Sequence, residues 1–288
     1  MYTRILSAFV LGSTLLACDE NPGRSDTYGA LELTTSAPTV EQAFTTADGW
    51  SIKYDRFLVH VSAVTVAGLD GVVTASASKQ LFDQVAPAPK SLVTGSLRRA
   101  RPWEDVSLQI GPVAADAEVT AIAPVNDADV ERMKKDGFAL YVEGKATKAG
   151  APTVAFKWGF TTDTLYKECG GEVGGAFRPG LLVPVDGSDT ADVAMRGDVL
   201  FRDDAVDTAA VRFDAFAAAD ADKNGEVTQA ELEAVTLESL RTAGRGAYGT
   251  AGKDVTTLKG FVEQRTQNLV GSFRAKGGCK ATPAAPPQ

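Results

Sequence analysis

Between Trp50 and Val66 the apolar side chains fall in near-alternation: Ile52, Tyr54, Phe57, Val59, Val61, Val64 and Val66, most of them β-branched or aromatic. A period of two sets such residues on one face of a strand, and Asp48-Gly49 just before them supplies a turn. Shorter runs at 30–35, 80–84, 106–113, 139–146, 153–160 and 181–185 read as further strands, with 191–195 and 199–201 completing the series. Gly-, Pro- and Asp-containing turns separate them. One helix interrupts at 127–135, acidic at its start and basic at its end, as the helix dipole favours. Many short strands at this spacing predict an antiparallel β-sandwich over residues 29–201.

After Asp203 the alphabet shifts to Ala, Leu, Glu and Asp. Val206, Ala210, Phe213 and Phe216 recur at helical spacing, Leu232, Val235 and Leu240 mark a second helix, and glycines at 244, 246 and 249 break it. A last helix is predicted over 254–275, with Leu258, Phe261, Val262, Leu269 and Phe273 on its apolar side. The fold class expected is therefore α+β in two parts, the sandwich followed by a helical module over 205–279, with a Pro/Ala-rich disordered tail at 280–288. No tandem repeat is present.

The first residues do not belong to this pattern. Arg4 precedes an apolar stretch, 5–16, of about a dozen residues, too short to cross a bilayer core of ~30 Å as a helix. It ends Leu15-Leu16-Ala17-Cys18, which resembles a bacterial lipobox. Residues 1–17 are then a lipoprotein signal peptide and Cys18 the acylated N-terminus; the alternative is ordinary signal-peptidase cleavage with Cys18 left free. The polar stretch 18–28 reads as a flexible tether. These readings predict an exported protein held on a membrane through its N-terminal lipid. Of three cysteines, Cys169 and Cys279 remain, and an oxidising compartment predicts a disulfide between them.

Charge narrows the partners. The chain of 288 residues carries 29 basic and 37 acidic residues, and removing 1–17 takes away only one Arg. So acidic a chain is ill suited to nucleic acid or to an anionic lipid surface. The one basic cluster, Arg98-Arg99-Ala100-Arg101, falls in a predicted loop.

Residues 220–231 run Asp-Ala-Asp-Lys-Asn-Gly-Glu-Val-Thr-Gln-Ala-Glu. Oxygen-bearing side chains stand at positions one, three, five, nine and twelve, with Gly225 at the sharp sixth position. Ca²⁺ takes six to eight oxygens, so this spacing nominates Asp220, Asp222, Asn224, the Glu226 carbonyl, Thr228 and bidentate Glu231 as its ligands. The stretch resembles an EF-hand at every liganding position. EF-hands usually pair, yet the expected partner region, 242–254, has no ligand ladder; the site is expected to be single, or paired with an ion-free turn. Asn224 in place of Asp leaves three ligand carboxylates, and a weak site of this kind outside the cytosol serves as a structural staple, with calcium regulation the sharper alternative.

The order of features is also similar to exported bacterial lipoproteins of poorly defined function. The likeness rests on the turn Thr46-Ala47-Asp48-Gly49-Trp50, the strand Trp158-Gly159-Phe160 before Cys169, Leu200-Phe201 before the acidic loop, and the closing Gly278-Cys279. Such chains often carry His near the Leu-Phe pair, which implies a transition-metal site. Here that stretch is Met195-Arg196-Gly197-Asp198-Val199-Leu200-Phe201, without His.

Catalytic signatures are sparse. His60 is the single histidine and sits within a predicted strand. Neither a Gly-x-Ser-x-Gly elbow, an HExxH helix nor a phosphate-binding Lys loop occurs. Gly244-Arg245-Gly246-Ala247-Tyr248-Gly249 fits Gly-x-Gly-x-x-Gly but follows a helix, which suits a connector better than a dinucleotide site. The function expected is calcium binding by a lipid-anchored, non-enzymatic exported protein. The alternatives are a periplasmic solute or metal-capture lipoprotein and a hydrolase using loop carboxylates such as Glu118, Asp198, Asp203 or Asp204; Trp50, Trp103 and Trp158 suit a sandwich core better than a ligand surface.

Overall fold

The computed structural model describes residues 29–68, 70–87, 89–97, 101–183 and 186–284. The signal segment 1–17, Cys18 and the tether lie outside the described residues, as do three of the four positions of the basic run.

In chain order the elements are β1 (Gly29–Ser36), α1 (Pro38–Glu41), β2 (Phe44–Thr45), β3 (Ser51–Gly68), β4 (Val73–Asp83), β5 (Lys90–Leu97), β6 (Arg101–Ile110), β7 (Thr120–Ala121), α2 (Asp127–Asp136) and β8 (Leu140–Thr147). They continue with β9 (Val154–Phe160), β10 (Thr164–Val173), β11 (Ala176–Pro179), β12 (Leu181–Val183), β13 (Ser188–Met195), a 3-10 turn at Asp198–Phe201 and α3 (Asp214–Ala217). Last come β14 (Glu226–Val227), α4 (Gln229–Ala234), α5 (Leu237–Thr242), α6 (Leu258–Thr266), β15 (Val270–Phe273) and β16 (Gly278–Pro283).

The chain is β-rich, and its strands form two sheets. The smaller runs β15-β13-β1-β5, and the spine of the larger runs β11-β10-β6-β3-β8-β9-β14. Long β3 is its centre, flanked by β4, β6 and β8. Its alternation does what the pattern required: Ile52, Tyr54, Phe57, Val59, Val61, Val64 and Val66 are all buried. The sheets are mixed, not purely antiparallel as expected, because β1 runs parallel to β13, β4 to β7 and β14 to β9. Helix α2 forms where its charged ends predicted, and it is capped at both termini. Asn126 and Asp129 exchange side-chain and backbone bonds in a capping box, and Gly137 closes the helix at φ 65°.

The expected break near residue 205 is not a break in the core. One buried cluster joins Leu31 and Val193 of the smaller sheet, Tyr54 and Trp158 of the larger, and Phe213, Phe216, Leu258 and Phe261 of the C-terminal third. Aromatic rings are the join: Phe201 lies 5.2 Å from Phe216 and 5.9 Å from Trp158, and Trp158 lies 5.6 Å from Phe216.

The C-terminal third also differs from an all-helical module. Residues 199–201 are a 3-10 turn, not a strand. Only 214–217 of the helix expected from Val206 is helical, and the last helix stops at Thr266. Beyond it, β15 joins the smaller sheet and β16 pairs with β10. Residues 280–283, expected in the disordered tail, are thus strand. The Cys169–Cys279 disulfide forms as predicted and ties β16 to β10. No helix among the described residues is long and apolar enough to cross a membrane.

Candidate metal centre

The loop 220–231 lies between α3 and α4. Carboxylate oxygens of Asp220, Asp222 and Glu231 all come within 4.8 Å of one another. Oxygens bound to one Ca²⁺ at about 2.3–2.6 Å can be no more than about 5 Å apart, so this spread fits a single coordination sphere.

Backbone amides aim these groups. Asp220 accepts from the amides of Asn224 (3.1 Å) and Gly225 (3.0 Å). Asp222 accepts from the Asn224 amide and side chain (3.1 and 3.0 Å), and Asn224 Oδ1 accepts from the Glu226 amide (2.7 Å). Such wrapping needs left-handed backbone, found at Lys223 (φ 58°) and Gly225 (φ 83°). Glu231 is both loop position twelve and the third residue of α4. Its Oε2 accepts from the Thr228 amide and hydroxyl (2.8 and 2.9 Å), and its Oε1 from the Ala221 amide (3.1 Å). The Thr228 amide leads in holding the Glu231 carboxyl below its ordinary pKa, while nearby Asp220 opposes. Repulsion among three converging carboxylates is what a divalent cation relieves.

The middle of the loop has a partner that sequence reasoning missed. Glu226 and Val227 form β14, which pairs with Ala155 and Phe156 of β9. Ala155 N donates to the Gly225 carbonyl (2.8 Å), Trp158 Nε1 to the Val227 carbonyl (2.8 Å), and Gln229 Nε2 to the Gly159 carbonyl (2.6 Å). Val227 is fully buried. The region at 242–254, expected as the partner, carries the connector after α5, where Arg241 binds the Ala247 and Tyr248 carbonyls. A β-branched residue at loop position eight was the one local sign that this backbone enters a sheet.

The incoming turn is fixed from afar. Asp48 Oδ2 accepts from the amides of Phe213 (2.8 Å) and Asp214 (2.7 Å) at the start of α3. Trp50 Nε1 and Lys148 Nζ donate to Asp214 (2.8 and 3.0 Å). Burial opposes ionisation of Asp214, but these two bonds prevail and hold its pKa down. No protein-family model, no curated protein and no solved structure matches the chain. The site is therefore argued from its own geometry.

A surface cavity of about 660 Å³ adjoins the loop, lined by Trp50, Val154, Ala217, Asp220, Lys223 and Arg245 among others. The carboxylates considered for hydrolysis stand in different settings. Asp198 binds Arg202 (2.6 Å), Asp203 binds Arg212 (2.7 Å), Asp204 accepts from the Val206 amide, and Glu118 stands on the surface. His60 is buried with Nδ1 donating to the Gly111 carbonyl (2.7 Å), and burial pushes its pKa down. Trp158 is core, and the Trp103 side chain lies outside the description.

Proposed function

We propose that this chain is an exported, lipid-anchored, non-enzymatic protein in which one Ca²⁺ ion staples the C-terminal third to the edge of the large sheet. The loop acts as a solitary EF-hand. Asp220, Asp222, Asn224, the Glu226 carbonyl, Thr228 and Glu231 enclose the ion, and the sheet replaces the second hand. The observation that carries this reading is the convergence of three carboxylates on a loop whose centre is itself a strand of the β9 edge.

Short helices favour a staple over a signalling switch. Helix α3 has four residues and α4 six; Asp48 binds the start of α3, and the second half of the loop is bound to β9 through Trp158 and Gln229. Two long helices that swing apart, which a sensor needs, are not present among the described residues. Calcium here orders the loop and stabilises the folded state in proportion to its occupancy.

Thermal unfolding of the ectodomain in saturating calcium and in EDTA tests the proposal. Calcium raises the melting temperature of the parent, and Asp220→Ala with Glu231→Gln removes the rise. A parent whose melt ignores both calcium and EDTA overturns it. The cavity beside the loop supports a second reading, capture of a small solute. Native mass spectrometry of protein purified from its host distinguishes the two, since a staple carries calcium alone and a capture protein carries an added organic mass.

A further inference from the structure

Five large apolar side chains stand exposed among the described residues: Val72 (54 %), Val73 (56 %), Phe177 (68 %), Leu182 (36 %) and Val206 (56 %). Topology brings the first four to one end of the molecule. Gly68, the last residue of β3, pairs with Glu104 near the start of β6, so the β3–β4 turn bearing Val72 and Val73 lies at that end. Leu181 of β12 also pairs with Glu104, and β12 then runs outward through Leu182 to Val183 opposite Arg101. Strand β10 runs from Tyr166, opposite Leu108, outward to its turn with β11, where Val173 faces Ala176 and Phe177 follows.

The same end receives the chain from its N-terminal side. Gly29 opens β1 opposite Leu97, the last residue of β5, and only three residues separate Leu97 from Arg101. Ala30 faces Ser188, just past the connection from β12. Strand β13 runs parallel to β1, away from this end, and Val206 follows beyond its far terminus. The calcium loop is distant as well. Ala155 of β9 pairs with Lys145, and Lys145 with Lys53, at the opposite end of the 18-residue β3.

Residues 18–28 fix what can cover this face. Eleven residues of chain reach at most about 40 Å. We infer that the end formed by Val72, Val73, Phe177 and Leu182 rests on the bilayer surface, with the four side chains dipping into its interface and the calcium loop directed away. This inference rests on the proposed acylation of Cys18. The anchor holds the chain at high effective concentration over the membrane, so a small apolar contact suffices to orient it. The four apolar side chains carry the contact, beside charges of both signs at this end: Asp70 in the turn with Val72, Glu172 opposite Phe177, and Arg101 opposite Val183.

Fluorescent labelling of the acylated full chain in phosphatidylcholine vesicles tests it. Val73→Cys, Phe177→Cys and Val206→Cys each offer one reactive thiol, since Cys169 and Cys279 are bonded to each other. An environment-sensitive label at 73 or 177 is expected to shift blue and lose about threefold or more of its emission to a lipid-borne nitroxide, while the label at 206 changes little. A chain that floats with the vesicles, yet whose three labels stay equally open to aqueous iodide, overturns the orientation and leaves the anchor standing. A chain without acyl mass on Cys18 overturns both. Labels at 73 and 177 that become shielded with rising protein concentration in lipid-free solution assign the face to a second copy and overturn the inference. Val73→Asp with Phe177→Asp, read through a label at Leu182→Cys, is expected to abolish the lipid quenching without detaching the chain.

Discussion

Two C-terminal strands join the large sheet, and they are held by different chemistry. Strand β16 lies against β10 through a ladder running from Thr164–Pro283 to Gly170–Gly278, and the Cys169–Cys279 disulfide makes that contact covalent. Strand β14 covers β9 with two residues, helped by Trp158 and Gln229, and owes its position to the acidic loop around it. The first attachment is permanent in an oxidising compartment. The second is only as firm as the loop, and three mutually repelling carboxylates weaken a loop unless a cation joins them. Under the proposed calcium binding, the contrast teaches where a reversible ligand would matter: at the short strand.

Breaking the covalent side is expected to have the largest effect. The disulfide closes a separation of 110 residues, which the chain-entropy model values at about 4–5 kcal/mol. Cys169→Ala with Cys279→Ala should lower unfolding stability by roughly that amount in denaturant titrations, equally with and without calcium. Stripping the ion from the other side is the next test. At calcium one hundredfold above its Kd, EDTA should remove about 2.7 kcal/mol. Trp158→Phe sharpens the comparison further. It deletes the donor to the buried Val227 carbonyl, costs about 1–2 kcal/mol, and weakens calcium binding by up to about tenfold while the β10–β16 side is unaffected. Calorimetric titration of that variant measures the loss in calcium affinity, and denaturant unfolding measures the stability cost.

The smallest effect is a control at the sheet centre. Burial lowers the pKa of His60 on β3. Its contribution to stability is therefore present above the ordinary histidine pKa of about 6.5 and is lost as pH falls toward the lower folded value. His60→Gln should flatten that part of the acid limb of a stability–pH curve. The change should be the same in calcium and in EDTA, since His60 touches neither edge attachment.

Local signals were legible and distant pairings were not. The alternation of β3 and the charged ends of α2 were readable because each reports its own geometry. Six ligand positions could be nominated because they fall within twelve contiguous residues, and the structure brings three of them, Asp220, Asp222 and Glu231, together. Strand β10 was missed because Thr164–Val173 holds Gly170, Gly171 and three charged residues, which blur a period of two. Leu269 and Phe273 sit at helical spacing, yet Phe273 is buried as part of a strand beyond α6, a confusion that short apolar runs invite. Val199, Leu200 and Phe201 are buried in succession by a 3-10 turn that looks like a strand in one dimension. The β9 partner of the loop lies some 70 residues away in sequence, as the Trp158–Val227 bond shows, and no local pattern encodes it. Asp48 likewise reads as a turn residue, although its other role is to cap α3.

The central claim is that one calcium ion pins Glu226 and Val227 to the β9 edge. Hydrogen exchange of the peptide 154–160, in saturating calcium and in EDTA, addresses it directly, with 164–173 as the disulfide-held reference. The account predicts that calcium slows exchange at Ala155 and its neighbours and leaves the reference unchanged, and that Glu231→Gln abolishes the difference. Equal exchange at β9 in both conditions, in a chain that still binds calcium, would contradict it.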